Sequence, residues 1–134
     1  MDQHVKDVIA ECGRASDEER ITFPEVVAKL AAAGIERYRA DLVRGERVYF
    51  LPDGASVVQE AHAKPGAAAA LAFSAEGVAR AVRAIQRGEI AYNAFCARIM
   101  DAGCVDYLVS IPGRRAVYFG RTGECHVERF PDVR

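Results

Sequence analysis

The chain has no tryptophan, only three histidines, and almost no net charge: 18 Lys and Arg against 19 Asp and Glu leave −1 at pH 7. Near-balance gives no global field favouring DNA, RNA or an anionic membrane, so neither nucleic acid nor membrane is expected as a partner. Long apolar runs are missing too. The longest weakly polar stretch, residues 65–75, is mostly alanine and too short to span a bilayer. Met1-Asp2-Gln3-His4 lacks the basic region that leads a signal peptide, so a cytoplasmic location is expected. Cys12, Cys96, Cys104 and Cys125 form no Cys-x-x-Cys pair and no zinc spacing. They are expected as small buried apolar residues in a reducing compartment.

Catalytic signatures are also absent. Gly-Arg-Thr-Gly at 120–123 lacks the Lys-Ser/Thr of a phosphate loop and reads as a strand turn. No dinucleotide fingerprint, zinc-protease motif or nucleophile elbow occurs. No cofactor, metal or catalytic residue is expected.

What is present is a repeat. Shifted by 69 residues without a gap, Ile21–Val58 falls on Ile90–Val127, with identities at 10 of the 38 positions, including Gly34/Gly103, Tyr38/Tyr107, Tyr49/Tyr118 and Gly54/Gly123. Each copy is one supersecondary unit that needs the other to close a core. At 134 residues the whole is one domain of two repeats, about 1–60 and 74–130, joined by an Ala-rich linker.

Within each repeat the order reads α-α-β-β-β. Val5, Val8, Ile9 and Cys12 fall at helical spacing, with Gly13 as the expected stop. Thr22 is an N-cap with Glu25 in capping-box position and Pro24 in the first turn. Gly34 is a left-handed C-cap. Tyr38, Ala40 and Leu42 alternate as a strand; residues 48–51 and 56–58 are the next two. His62–Gly66 reads as a loop, and the alanines after it as a segment that could already be helical. In the second copy Ser74 caps a helix that ends at Gly88, a second helix ends at Gly103, and three strands follow. Phe130–Arg134 is a tail. Gly45 and Gly113 do not align under the shift, so the two hairpin turns are expected to differ in type or length. The fold class is α+β: an antiparallel sheet, first choice six-stranded, with helices packed on one face and the halves related by a pseudo-twofold.

Gly103-Cys104-Val105-Asp106-Tyr107 followed by residues 117–124, and residues 22–27 followed by Tyr49-Phe50-Leu51-Pro52-Asp53-Gly54, resemble the YbcV-like family of short bacterial proteins of unknown function. The resemblance covers nearly the whole chain. It implies no established activity and no catalytic residue to carry over. Some members are labelled phage envelope protein, so a prophage association is the one setting it suggests.

Candidate site residues come from strand parity. If Val48 and Phe50 face the helices, Tyr49 and Tyr118 face away, with Arg39, Asp41, His126 and Glu128 beside them. Such a face suits a subunit interface or a ligand groove, against a merely solvated sheet. His126 and Cys125 are adjacent strand residues and face opposite ways, so they do not share a metal. Arg80, Arg83 and Arg87 read as solvated helix arginines. The expected function is a non-enzymatic cytoplasmic module that binds an unknown protein partner or itself, as a homodimer, through that face. The alternative is a small-ligand binder or weak enzyme with a cleft between the repeats.

Overall fold

Caps set the helix starts. In the computed structural model, which describes residues 1–61 and 68–131, Asp2, Thr22 and Ser74 each accept a backbone N–H of the first turn through the side chain. They open α1 (Gln3–Asp17), α2 (Phe23–Ala32) and α3 (Ala75–Gln86); α4 (Tyr92–Asp101) follows. Thr22 and Glu25 form the full capping box, and Pro24 sits in the first turn. The alanines at 68–70 are not helical. The expected loop at His62–Gly66, and the tail beyond Pro131, lie outside the described residues.

The strands are β1 (Arg37–Asp41), β2 (Glu46–Phe50), β3 (Ser56–Glu60), β4 (Cys104–Ser110), β5 (Arg115–Gly120) and β6 (Cys125–Arg129). They form one six-stranded antiparallel sheet in the order β3-β2-β1-β4-β5-β6. The two meanders meet through β1 and β4, the pairing that a twofold normal to the sheet requires. The fold is α+β, with the helices on one face of the sheet.

Several sequence expectations need correction. Gly13 does not stop α1; the helix runs on to Asp17. Gly13 is glycine because the Gln59 amide lies where a Cβ would be, with Oε1 2.2 Å from that point. The hairpin turns do not differ in length. Each spans the four residues between its strands, and the left-handed residue sits at the same repeat position, Gly45 (φ 71°) in one and Arg114 (φ 50°) in the other. The second turn keeps Gly113 for another reason: a Cβ there would lie 2.7 Å from Ser110 Oγ.

The third correction concerns the sheet. Tyr49 and Tyr118 face the helices, not solvent: they are 2% and 7% exposed, while Val48 and Phe50 lie on the open face. Cross-strand partners share a face, and Tyr49 pairs with Tyr38, Tyr118 with Tyr107. His126 and Glu128 lie beside Tyr118 on the helix side; Arg39 and Asp41 are on the open side. The expected single face is therefore split between two. Cys125, expected buried, is instead exposed on the open face at the edge strand β6, whereas Cys12, Cys96 and Cys104 are buried.

Candidate functional site

The helix-facing side of the sheet carries Tyr38, Ala40, Arg47 and Tyr49 from the first repeat, and Tyr107, Val109, Ala116 and Tyr118 from the second. Helices cover it incompletely. Between the repeats lies a cavity of about 580 Å³, floored by Tyr38, Tyr49, Tyr107 and Tyr118 and walled by α2, the C-terminal end of α3 and the first turn of α4. Its size is in the range of small-molecule sites. Ile21, Val82, Ile85, Ile90, Phe95 and Phe130 make most of the wall apolar.

All five tyrosines of the chain line it. Tyr38 stacks on Tyr49 with ring centroids 5.3 Å apart, Tyr107 lies 5.4 Å from Tyr118, and Tyr38 meets Tyr107 edge-on at 6.4 Å. Tyr92 reaches in from α4, its hydroxyl 3.0 Å from that of Tyr107. The Tyr49 hydroxyl donates to Gln59 Oε1 at 3.0 Å. Among the described residues, the Tyr38 and Tyr118 hydroxyls have no hydrogen-bond partner. Neither oxygen is shut off from solvent; among the described residues the buried side-chain oxygen without a partner is Asp106 Oδ1.

The two halves of the floor differ in chemistry at matched positions. Arg47, 4% exposed, donates to Asp17 Oδ1 at 2.6 Å and to Gln59 Oε1 at 3.0 Å; its guanidinium lies 5.5 Å from the centre of the Tyr92 ring. Gln59 Nε2 in turn donates to the Ile9 carbonyl at 2.9 Å. The second-repeat counterpart of Arg47 is Ala116. Ala116 thus lines the cavity with a methyl group where the first half has a guanidinium. The counterpart of Gln59 is Glu128, held by Arg83 at 2.9 Å and 2.5 Å from His126 Nε2. Arg83 is thus paired, not freely solvated as the sequence suggested.

Burial governs the protonation of these groups. It pushes the Tyr38 and Tyr107 phenols well above their ordinary value, raises Tyr49 and Tyr118, and takes Tyr92 up to about 12. Burial also pushes the Cys96 thiol up to about 11. Burial by itself would lower the Arg47 guanidinium, but its value still lies above the ordinary one, and at neutral pH, with the phenols uncharged, it is the bond to Asp17 that holds the charge. At neutral pH the cavity presents neutral phenols, a neutral thiol nearby and a cation already paired. That is hydrogen-bonding and stacking chemistry, without an activated nucleophile.

Of the six sequence candidates, Tyr49, Tyr118 and Glu128 line this cavity; His126 touches it only through Glu128; Arg39 and Asp41 are on the far side of the sheet. Sequence reasoning missed Arg47, Tyr92 and Ala116. The signal for the tyrosines was available: a four-residue turn after Asp41 pairs Tyr38 with Tyr49, so an inward Tyr38 carries Tyr49 inward.

Among the described residues, no group of three or more His, Cys, Asp or Glu converges as a metal site, and no helix is long and apolar enough to cross a membrane. No protein-family model matches the chain. Over 111 residues it is 27% identical to uncharacterized proteins of Mycobacterium bovis and Mycobacterium tuberculosis, an alignment covering 83% of this chain and 68% of each of those proteins.

Proposed function

We propose that the chain is a non-enzymatic binding protein for a small, mostly apolar molecule, aromatic in part, that sits between the two repeats. The observation that carries this reading is an apolar cavity of about 580 Å³ in which two phenol hydroxyls, Tyr38 and Tyr118, have no partner among the described residues. A ring system would stack among the tyrosines, and one or two polar groups on it would bond those hydroxyls. Four unpaired cysteines, one of them exposed, suit the reducing cytoplasm.

A thermal-shift panel of small aromatic compounds tests the proposal, since a ligand of the native state alone raises the melting temperature by mass action. Hits on the native protein should be lost in Ala116→Phe, which puts a ring into the cavity. A broad panel without a hit, or hits indifferent to Ala116→Phe, would remove the cavity as the site.

Self-association through the uncovered face of the sheet, the other expectation from sequence, cannot use Tyr49 and Tyr118, which face the helices.

A further inference from the structure

The uncovered face of the sheet has an ordered pattern that the fold itself does not use. Its middle row, read across the strands, is Val58, Val48, Arg39, Leu108, Val117 and Val127. The ends of that row are open to solvent, Val58 at 62% and Val127 at 45%. On one side of the row lie Arg37, Arg115 and Arg129; on the other lie Glu46, Glu60, Asp41 and Asp106. Some of these charges are partnered within the chain: Arg37 with Glu36, Arg44 with Glu46, and Arg39 with Asp106. The separation into a basic and an acidic border remains.

That separation breaks the repeat. Positions related by the 69-residue shift carry opposite charges three times: Arg37 and Asp106, Glu46 and Arg115, Glu60 and Arg129. The middle row keeps its valines, Val48 with Val117 and Val58 with Val127. Burial inside one chain does not ask for this, because no described helix lies over the face.

We propose that this face docks a second copy of the chain, sheet on sheet, about a twofold axis lying along the middle row. That axis turns the partner's strands end for end. Val58, Val48, Leu108, Val117 and Val127 then each meet their own copy, and Arg39, paired with Asp106, meets Arg39; Arg37 comes over Asp41 of the other copy and Ser110 over its Asp106, while Arg115 and Arg129 come over its Phe119 and Cys125. An axis along the strands, between β1 and β4, would instead bring Asp41 onto Asp106 and Arg37 onto Ser110, with no arginine over a carboxylate. Paired sheets pack with strands within about 30° of alignment, which the row-aligned axis permits. Six strands at about 4.8 Å and five residues at about 3.3 Å give a face of roughly 30 by 16 Å. Two such faces bury about 1,000 Å², the lower bound for a specific interface, so the dimer is a concentration-dependent one. The cavity lies on the other side of the sheet, so this dimer stands whether or not the cavity binds a ligand.

Sedimentation velocity over a range of concentrations, with thermal melts as the folding control, tests it. A monomer–dimer equilibrium is expected, weakened by high salt and abolished by Val127→Asp or Val58→Asp with the fold intact. Orientation is read separately by a short bismaleimide on Val127→Cys and Val58→Cys, each made with Cys125→Ser; the other cysteines are buried. Each variant should cross-link to itself. A monomer at every concentration, or a dimer indifferent to both aspartates, would overturn the proposal. Links only between the two different variants would overturn the axis.

Discussion

Arg39 and Leu108 are paired across β1 and β4, and they are also each other's counterparts under the 69-residue shift. The pseudo-twofold axis therefore passes between them, normal to the sheet. This one pairing fixes the rest. It places the two meanders back to back in a continuous sheet, sets Tyr38 and Tyr107 on neighbouring strands on the helix side, and leaves the cavity astride the axis.

The repeat glycines give the first expected outcome. Gly34 and Gly103 are both left-handed, with φ 86° and 87°. A Cβ at Gly34 meets nothing within 4 Å, but one at Gly103 falls 2.3 Å from the Ala72 carbonyl oxygen. Gly34→Val should cost about 1–2 kcal/mol, the left-handed penalty alone. Gly103→Val should cost more, because backbone must also move. Denaturant unfolding of both variants measures the difference, and equal losses would discount the close approach.

Gly13→Ala displaces the Gln59 amide and with it the bonds to Arg47, Tyr49 and Ile9. Each buried polar group left unsatisfied costs about 1–3 kcal/mol, so a loss of several kcal/mol is expected. Adding Gln59→Ala relieves the clash. The double variant should lose less than the sum of the singles, a coupling that a double-mutant cycle reads.

The Arg47–Asp17 pair is buried on both sides, with side chains 4% and 6% exposed. Removing the guanidinium takes the buried Asp17 carboxylate's cation away: Arg47→Leu should destabilise by about 3 kcal/mol, and Arg47→Leu with Asp17→Leu should recover part of that. Urea unfolding measures both. A double variant as weak as the single would show that the pair is not the source of the loss.

Stability should also fall in alkali. Tyr92 and Cys96 are raised to about 12 and 11, and the other four tyrosines shift upward too. Between the unfolded and folded values the native state holds more protons than the unfolded chain, so stability declines as pH rises from about 9 for thiols and about 10 for phenols. Below that window these groups contribute no slope. Tyrosinate absorbance should remain low past pH 10 and then rise together with the loss of circular dichroism. Phenols titrating near 10 in folded protein would contradict their burial.

Much of this architecture was legible in the sequence, and the reasons are local. Thr22 with Glu25, Ser74, Gly34 and Gly103 announce helix ends through backbone chemistry that works within four residues. The repeat itself implied the pseudo-twofold. What was not legible depended on distant contacts. Gly13 resembled a stop because its real constraint, Gln59, lies 46 residues away. Tyr49 was placed outward because Val48 and Phe50 are the more apolar neighbours, and only the cross-strand register to Tyr38 reverses that choice. Arg47 gave no inward signal because its partner Asp17 comes from another element. Arg47 and its repeat counterpart Ala116 both line the cavity, and alignment shows their exchange as one mismatch among many.

The most direct measurement is a crystal structure of the protein soaked with the best compound from the thermal-shift panel. Density for the compound among the five tyrosines, with a polar atom within hydrogen-bond distance of the Tyr38 or Tyr118 hydroxyl, is the expected result. A compound bound elsewhere, over an empty or water-filled cavity, would contradict the binding function assigned to this site.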